Sequence, residues 1–157
     1  MGLDMHLLGE RYIWKHTNEP QEDMLRNKVA QASGFKPNQV QGIKLDLGYW
    51  RKANHIHHWF VENIQDGEDN CRQYHVERSK LMELKHICQR IMDRVENGDE
   101  WKSYAEEVLP CCDGFFFGST DIDDYYLQAT KETIRIIDNI ITDPALTDVD
   151  LYYASSW

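Results

Sequence analysis

Ile43, Leu45, Leu47 and Tyr49 alternate strictly with Lys44, Asp46, Gly48 and Trp50, the period of a strand with one buried and one wet face. The period then changes. Ala53, Ile56, Phe60 and Ile64 recur at helical intervals, so the spacing predicts a helix from about Lys52 to a stop at Asp66-Gly67. Upstream, Leu3, Met5 and Leu7 alternate with Asp4, His6 and Leu8 and predict a strand of about six to ten residues. Met24, Leu25, Val29 and Ala32 predict a short helix stopped by Gly34, and Pro37-Asn38 marks a turn.

Downstream, Tyr74-His75-Val76 reads as a brief extended piece, and Leu81, Leu84, Ile87, Cys88, Ile91 and Val95 form the apolar face of a helix closing at Asn97-Gly98. Trp101, Tyr104, Ala105, Val108 and Leu109 predict a short helix ended by Pro110. Gly114-Phe115-Phe116-Phe117-Gly118 is too short and too Gly-bounded for a helix, so its three rings are expected in the core, on a buried strand or a packed loop. Thr120 with Asp123 has the spacing of a capping box, in its Asp variant, for a helix through Ile134, Ile137 and Ile141. Val149, Leu151 and Tyr153 predict a last strand. Together these elements specify a single α+β domain, residues 1–157, with a small, mainly antiparallel sheet covered by about four helices.

Charge narrows the partners. The net charge of −10 repels nucleic-acid polymers and anionic membranes, but a small anion needs only a few cations at short range. No run approaches the roughly 20 apolar residues of a membrane span. Cys71, Cys88, Cys111 and Cys112 show no CxxC spacing, and no secretory leader stands before Met1-Gly2-Leu3-Asp4, so reduced thiols in a cytoplasm are expected. Homo-oligomerisation is left open.

The chemistry concentrates where the best strand becomes a helix, in Gly48-Tyr49-Trp50-Arg51-Lys52-Ala53-Asn54-His55-Ile56-His57-His58-Trp59-Phe60. Arg51 and Lys52 suit phosphate or carboxylate oxygens, Tyr49, Trp50 and Trp59 offer flat faces for a base, and Asn54 and His57 offer polar contacts. Gly118-Ser119-Thr120, before a predicted helix, adds exposed amides and a hydroxyl pair, although Asp121, Asp123 and Asp124 beside it oppose a phosphate. Among the histidines only His55 and His58 share a helix face, so no metal or other cofactor is expected. No Gly-x-Ser-x-Gly, Walker-type, His-Glu-x-x-His or Cys-His nucleophile arrangement is present. No catalytic residue is therefore assigned, and binding without catalysis is favoured.

Four segments taken together, Met1-Gly2-Leu3-Asp4-Met5, Gly48 to Asn54 with His57 and Trp59-Phe60, Gly114 to Thr120, and Tyr152-Tyr153 with Ser155-Ser156-Trp157, resemble a family of small proteins of bacteriophages and bacterial mobile elements. The resemblance spans nearly the whole chain and supplies no catalytic residues. Small acidic phage proteins with a pocket include those that sequester cyclic or ADP-ribose-derived immune messengers. By that analogy the resemblance implies a protein of the infected host's cytoplasm that holds a nucleotide-derived signalling molecule. The alternatives are a nucleotide-degrading or nucleotide-modifying enzyme using His57 with Asp121, Asp123 or Asp124, and an inhibitor that grips a host protein through exposed aromatics.

Overall fold

A computed structural model describes residues 2–15 and 19–157. The described residues form strands β1 (Asp4–Tyr12), β2 (Gly42–Arg51), β3 (Tyr74–His75) and β4 (Asp150–Ser156). The helices are α1 (Pro20–Ser33), α2 (Asn54–Ile64), α3 (Arg78–Asn97), α4 (Lys102–Val108) and α5 (Asp124–Thr142). The four strands make one antiparallel sheet in the order β2-β1-β4-β3, so the α+β architecture expected from the periodicities is the one observed. The first and last strands pair at its centre, with Leu7 opposite Tyr153.

One face of the sheet carries the core. Met5, Leu7, Leu151 and Tyr153 are buried against Ile56 and Phe60 of α2, Leu84 and Ile91 of α3, Ala105 of α4 and Ile137 and Ile140 of α5. That apolar surface leaving water is the main force holding the layers together. The fifth helix, α1, rests instead on its own small cluster of Ile13, Ala30 and Val40. On the opposite face polar side chains meet across strands, Lys44 and Glu10 at 3.2 Å and the His6 ring and Asp46 at 3.5 Å.

The alternation in β2 does not run unbroken. Leu7 pairs with Gly48 and Leu8 with Asp46, so Leu47 is an extra residue on β2, a bulge that shifts the phase of everything after it. Leu45 and Leu47 face the core, and beyond the bulge Trp50 turns inward while Tyr49 turns to solvent. Gly48 lies under α5, where an added Cβ would stand 2.5 Å from Ile136 Cγ2, so a side chain there would collide with the helix.

Three further expectations are corrected. The second helix begins at Asn54 rather than Lys52. The cap of α5 is Asp123, whose carboxylate accepts the amides of Tyr125 and Tyr126, and Thr120 lies outside the helix. Of the three phenylalanines only Phe117 is core. Phe115 is 78% and Phe116 47% exposed, because a tight turn closed by Phe117 N–H on the Gly114 carbonyl pushes the two intervening rings outward.

Candidate functional site

The junction between β2 and α2 is built around Lys52, whose left-handed backbone (φ 55) turns the chain off the sheet. Its amide donates to the Leu3 carbonyl at 2.8 Å, tying the turn to the start of β1. Asn54, at the head of α2, reaches the other way, and its Nδ2 donates to the carbonyl of Ser119 at 2.8 Å and more weakly to that of Phe117 at 3.4 Å. Cys112 Sγ donates to the Asn54 carbonyl at 3.3 Å. The segment from Cys112 to Ser119 is thus stapled to the first turn of α2. Gly118 (φ 96) packs so closely that an added Cβ would lie 3.1 Å from Lys52 Cβ.

Two small cavities adjoin this junction. One, of about 250 Å³, is bounded by Lys52, Asn54, Gly118, Ser119, Asp121 and Asp123, with Cys111 and Tyr125 also on its wall. The other, of about 180 Å³, is bounded by Tyr49, Trp50, Arg51, Tyr125, Gln128 and Glu132. Tyr125 stands between them and donates its hydroxyl to the Arg51 carbonyl. Tyr49 donates its hydroxyl to Asp4, whose carboxylate holds the phenol above its ordinary pKa. Neither Arg51 nor Lys52 forms an ion pair with a carboxylate among the described residues.

Most of the residues selected from sequence lie at this junction, but they divide. Lys52, Asn54, Gly118 and Ser119 meet at the larger cavity and Tyr49, Trp50 and Arg51 at the smaller, whereas Thr120, His57 and Trp59 border neither. Arg51 borders the smaller of the two and Ser119 the larger. Trp50 is 3% exposed, and its indole donates to Thr133 Oγ1 of α5 at 3.0 Å. Trp59 is also buried, edge-on to Phe60. Both indoles are therefore core rings rather than open stacking faces, because the bulge and the helical phase turn them inward.

His57 is wholly buried with both ring nitrogens engaged. Nε2 is 3.0 Å from Asp69 Oδ2 and Nδ1 is 2.7 Å from the Tyr153 hydroxyl. A carboxylate accepts only, so the proton sits on Nε2 and Nδ1 accepts from the tyrosine, which satisfies a neutral ring completely. Burial lowers the His57 pKa, and Asp69 only partly opposes that. The Trp157 indole donates to the other Asp69 oxygen at 3.1 Å. The acid beside His57 is thus Asp69, not Asp121, Asp123 or Asp124, and it fastens a loop and the last residue onto the core. His55, stacked 3.9 Å from Tyr126 and 3.3 Å from Thr130 Oγ1, has its pKa driven by burial to about 3 and stays neutral.

Nothing in the spacing of Asp69 and Tyr125 links them to the junction, and Cys111 reads in the sequence only as one of four reduced thiols. The segment after Gly118 reads in the sequence both as a cap and as one wall of a pocket, and Gly118, Ser119, Asp121 and Asp123 do line the larger cavity, whereas Thr120 does not. Burial raises the thiols of Cys111 and Cys112 to about 11, with nearby carboxylates adding to the shift, so both are protonated at neutral pH. Among the described residues no group of three or more His, Cys, Asp or Glu side chains is placed to hold a metal ion, and no helix is long and apolar enough to cross a membrane. Compared with protein-family models, curated proteins and solved structures, the chain finds no match.

Proposed function

We propose that this chain binds, without transforming, a small anionic nucleotide-like molecule at the β2–α2 junction. The observation that carries the reading is the state of Arg51 and Lys52. They are adjacent cations beside two cavities in a chain of net charge −10, and no described carboxylate lies in ion-pair range of either. Two cations without a described carboxylate partner suit phosphate oxygens there, and Arg51 is held beside the Tyr49 hydroxyl, which its side chain reaches. Half-exposed Tyr49 and Tyr125 beside Arg51 supply ring faces for a base. Binding rather than catalysis is supported by the site's poor stock of reactive groups, since His57 is sealed in the core and the nearby thiols are protonated. The likeness to phage proteins extends the proposal to capture of a nucleotide-derived immune messenger in an infected cell.

The test is to incubate the protein with ADP-ribose or a cyclic dinucleotide, remove free ligand, heat-denature and identify what is released. Intact ligand is the expected result, and an altered product makes the protein an enzyme. Arg51→Ala is expected to raise the dissociation constant about 10- to 150-fold, the range of a lost charged hydrogen bond, and Lys52→Ala to raise it less. Melting temperatures measured alongside show whether each variant is folded.

A second reading has its own observation. Phe115 and Phe116 stand in solvent with ring centroids 4.2 Å apart, and Phe116 is held in the left-handed region (φ 65) that a bulky side chain avoids. Such a strained aromatic tip suits insertion into a protein partner. No ligand retained by a folded protein shifts the assignment there.

A further inference from the structure

The larger cavity is polarised. Lys52 stands on one side. The cavity's other polar side chains include the acceptors Asp121 and Asp123 and the amide of Asn54, which is 1% exposed, with the rings of His55, Tyr125 and Tyr126 completing the wall. The Asn54 amide nitrogen is committed to two carbonyls, and its Oδ1 is buried without a partner among the described residues. A buried acceptor left unpaired is costly unless a donor arrives. One Asp121 oxygen accepts from Ser119 Oγ at 2.8 Å, and one Asp123 oxygen accepts two backbone amides. The second oxygen of each carboxylate has no hydrogen-bond partner among the described residues.

Resting on the anion-binding reading above, we infer that this cavity takes the sugar-phosphate portion of the ligand, with the phosphate at Lys52 and neighbouring sugar hydroxyls donating to Asp121 and Asp123. Bare inorganic phosphate keeps its few hydroxyl donors on the charged group itself, so using them would bring its charge against those carboxylates, which would repel it. A phosphate joined to a polyol places its charge at the lysine and its hydroxyls on the acceptors. At about 250 Å³ the cavity falls below the roughly 300 Å³ at which whole-ligand pockets begin, so it holds one portion of a nucleotide. The base lies outside it, on the Tyr125 side toward the smaller cavity.

The experiment is calorimetric titration of the full chain with ribose 5-phosphate, 2-deoxyribose 5-phosphate and inorganic phosphate, repeated with Asp121→Asn and Lys52→Ala. Asp123 is left unchanged because it caps α5. The expected result is that ribose 5-phosphate binds at least tenfold more tightly than phosphate and more tightly than its deoxy analogue. Asp121→Asn should erase most of that preference while phosphate binds as well as before or better, and Lys52→Ala should weaken all three. If ribose 5-phosphate and phosphate bind equally and Asp121→Asn changes neither, the hydroxyl assignment is overturned and the anion site stands. If none binds the folded protein at millimolar concentration while the cyclic dinucleotide is retained, this cavity is not the sugar-phosphate subsite. If neither sugar phosphates nor nucleotides bind, both readings fall.

Discussion

Asn54 shows how one buried side chain can set the geometry of a site. Its amide joins the head of α2 to the backbone at Phe117 and Ser119, residues more than sixty positions away in the chain. Asn54→Ala leaves those carbonyls without that donor in a buried setting, and we expect a loss of about 1–3 kcal/mol in urea denaturation. The amide of Phe117, which donates to the Gly114 carbonyl within the stapled loop, should then exchange with deuterium faster than in the parent. Unchanged stability together with unchanged exchange would show that the staple contributes nothing. The residue itself was picked out in the sequence as polar and near a helix start, the usual grounds for expecting an exposed cap or ligand contact. Its partner loop could not be read, because no local periodicity encodes a hydrogen bond between distant segments.

At the scale of elements, a single extra residue in β2 reassigns two aromatic side chains. Strict alternation puts Tyr49 with Leu45 and Leu47 on the core face, whereas the bulge at Leu47 sends Trp50 inward and Tyr49 outward. The consequence is a contrast between neighbours. Trp50→Ala should cost about 3–5 kcal/mol through the cavity it opens and the partner it removes from Thr133. Tyr49→Ala should cost no more than about 1 kcal/mol, since its hydroxyl bonds Asp4 at the surface. Chemical denaturation of the two variants decides the matter, and equal costs would contradict the inward-outward assignment. The same bulge sets Gly48 beneath Ile136, and Gly48 is the trace it leaves in the sequence. Glycine inside a strand pattern is a signal of a bulge or of close approach, but it does not say which side of it the extra residue falls.

Over the whole molecule, the two buried histidines couple stability to pH. Both are held below the ordinary imidazole value of 6.5, His55 at about 3, so each binds more protons when unfolded than when folded. The stabilisation is complete above 6.5 and is lost as pH falls through 6.5 toward the folded-state values. Each histidine contributes a slope of roughly 1.4 kcal/mol per pH unit within that window. Melting temperature should therefore fall between pH 6.5 and 4, and His55→Leu, which removes one of the two titrating rings, should flatten the descent. A melting temperature level across that interval would show that neither ring is held neutral. What the amino-acid sequence determined by itself is the set of elements and the α+β class, because hydrophobic period, glycine stops and proline breaks act over a few residues and report the local backbone directly. The tertiary structure alone decided which aromatic rings are core, that Asp69 rather than an acid of the 121–124 segment meets His57, and that Lys52 shares a cavity with Asp121. Those outcomes depend on strand register and on how helices pack over the sheet, and both join residues whose separation along the chain carries no periodic signal.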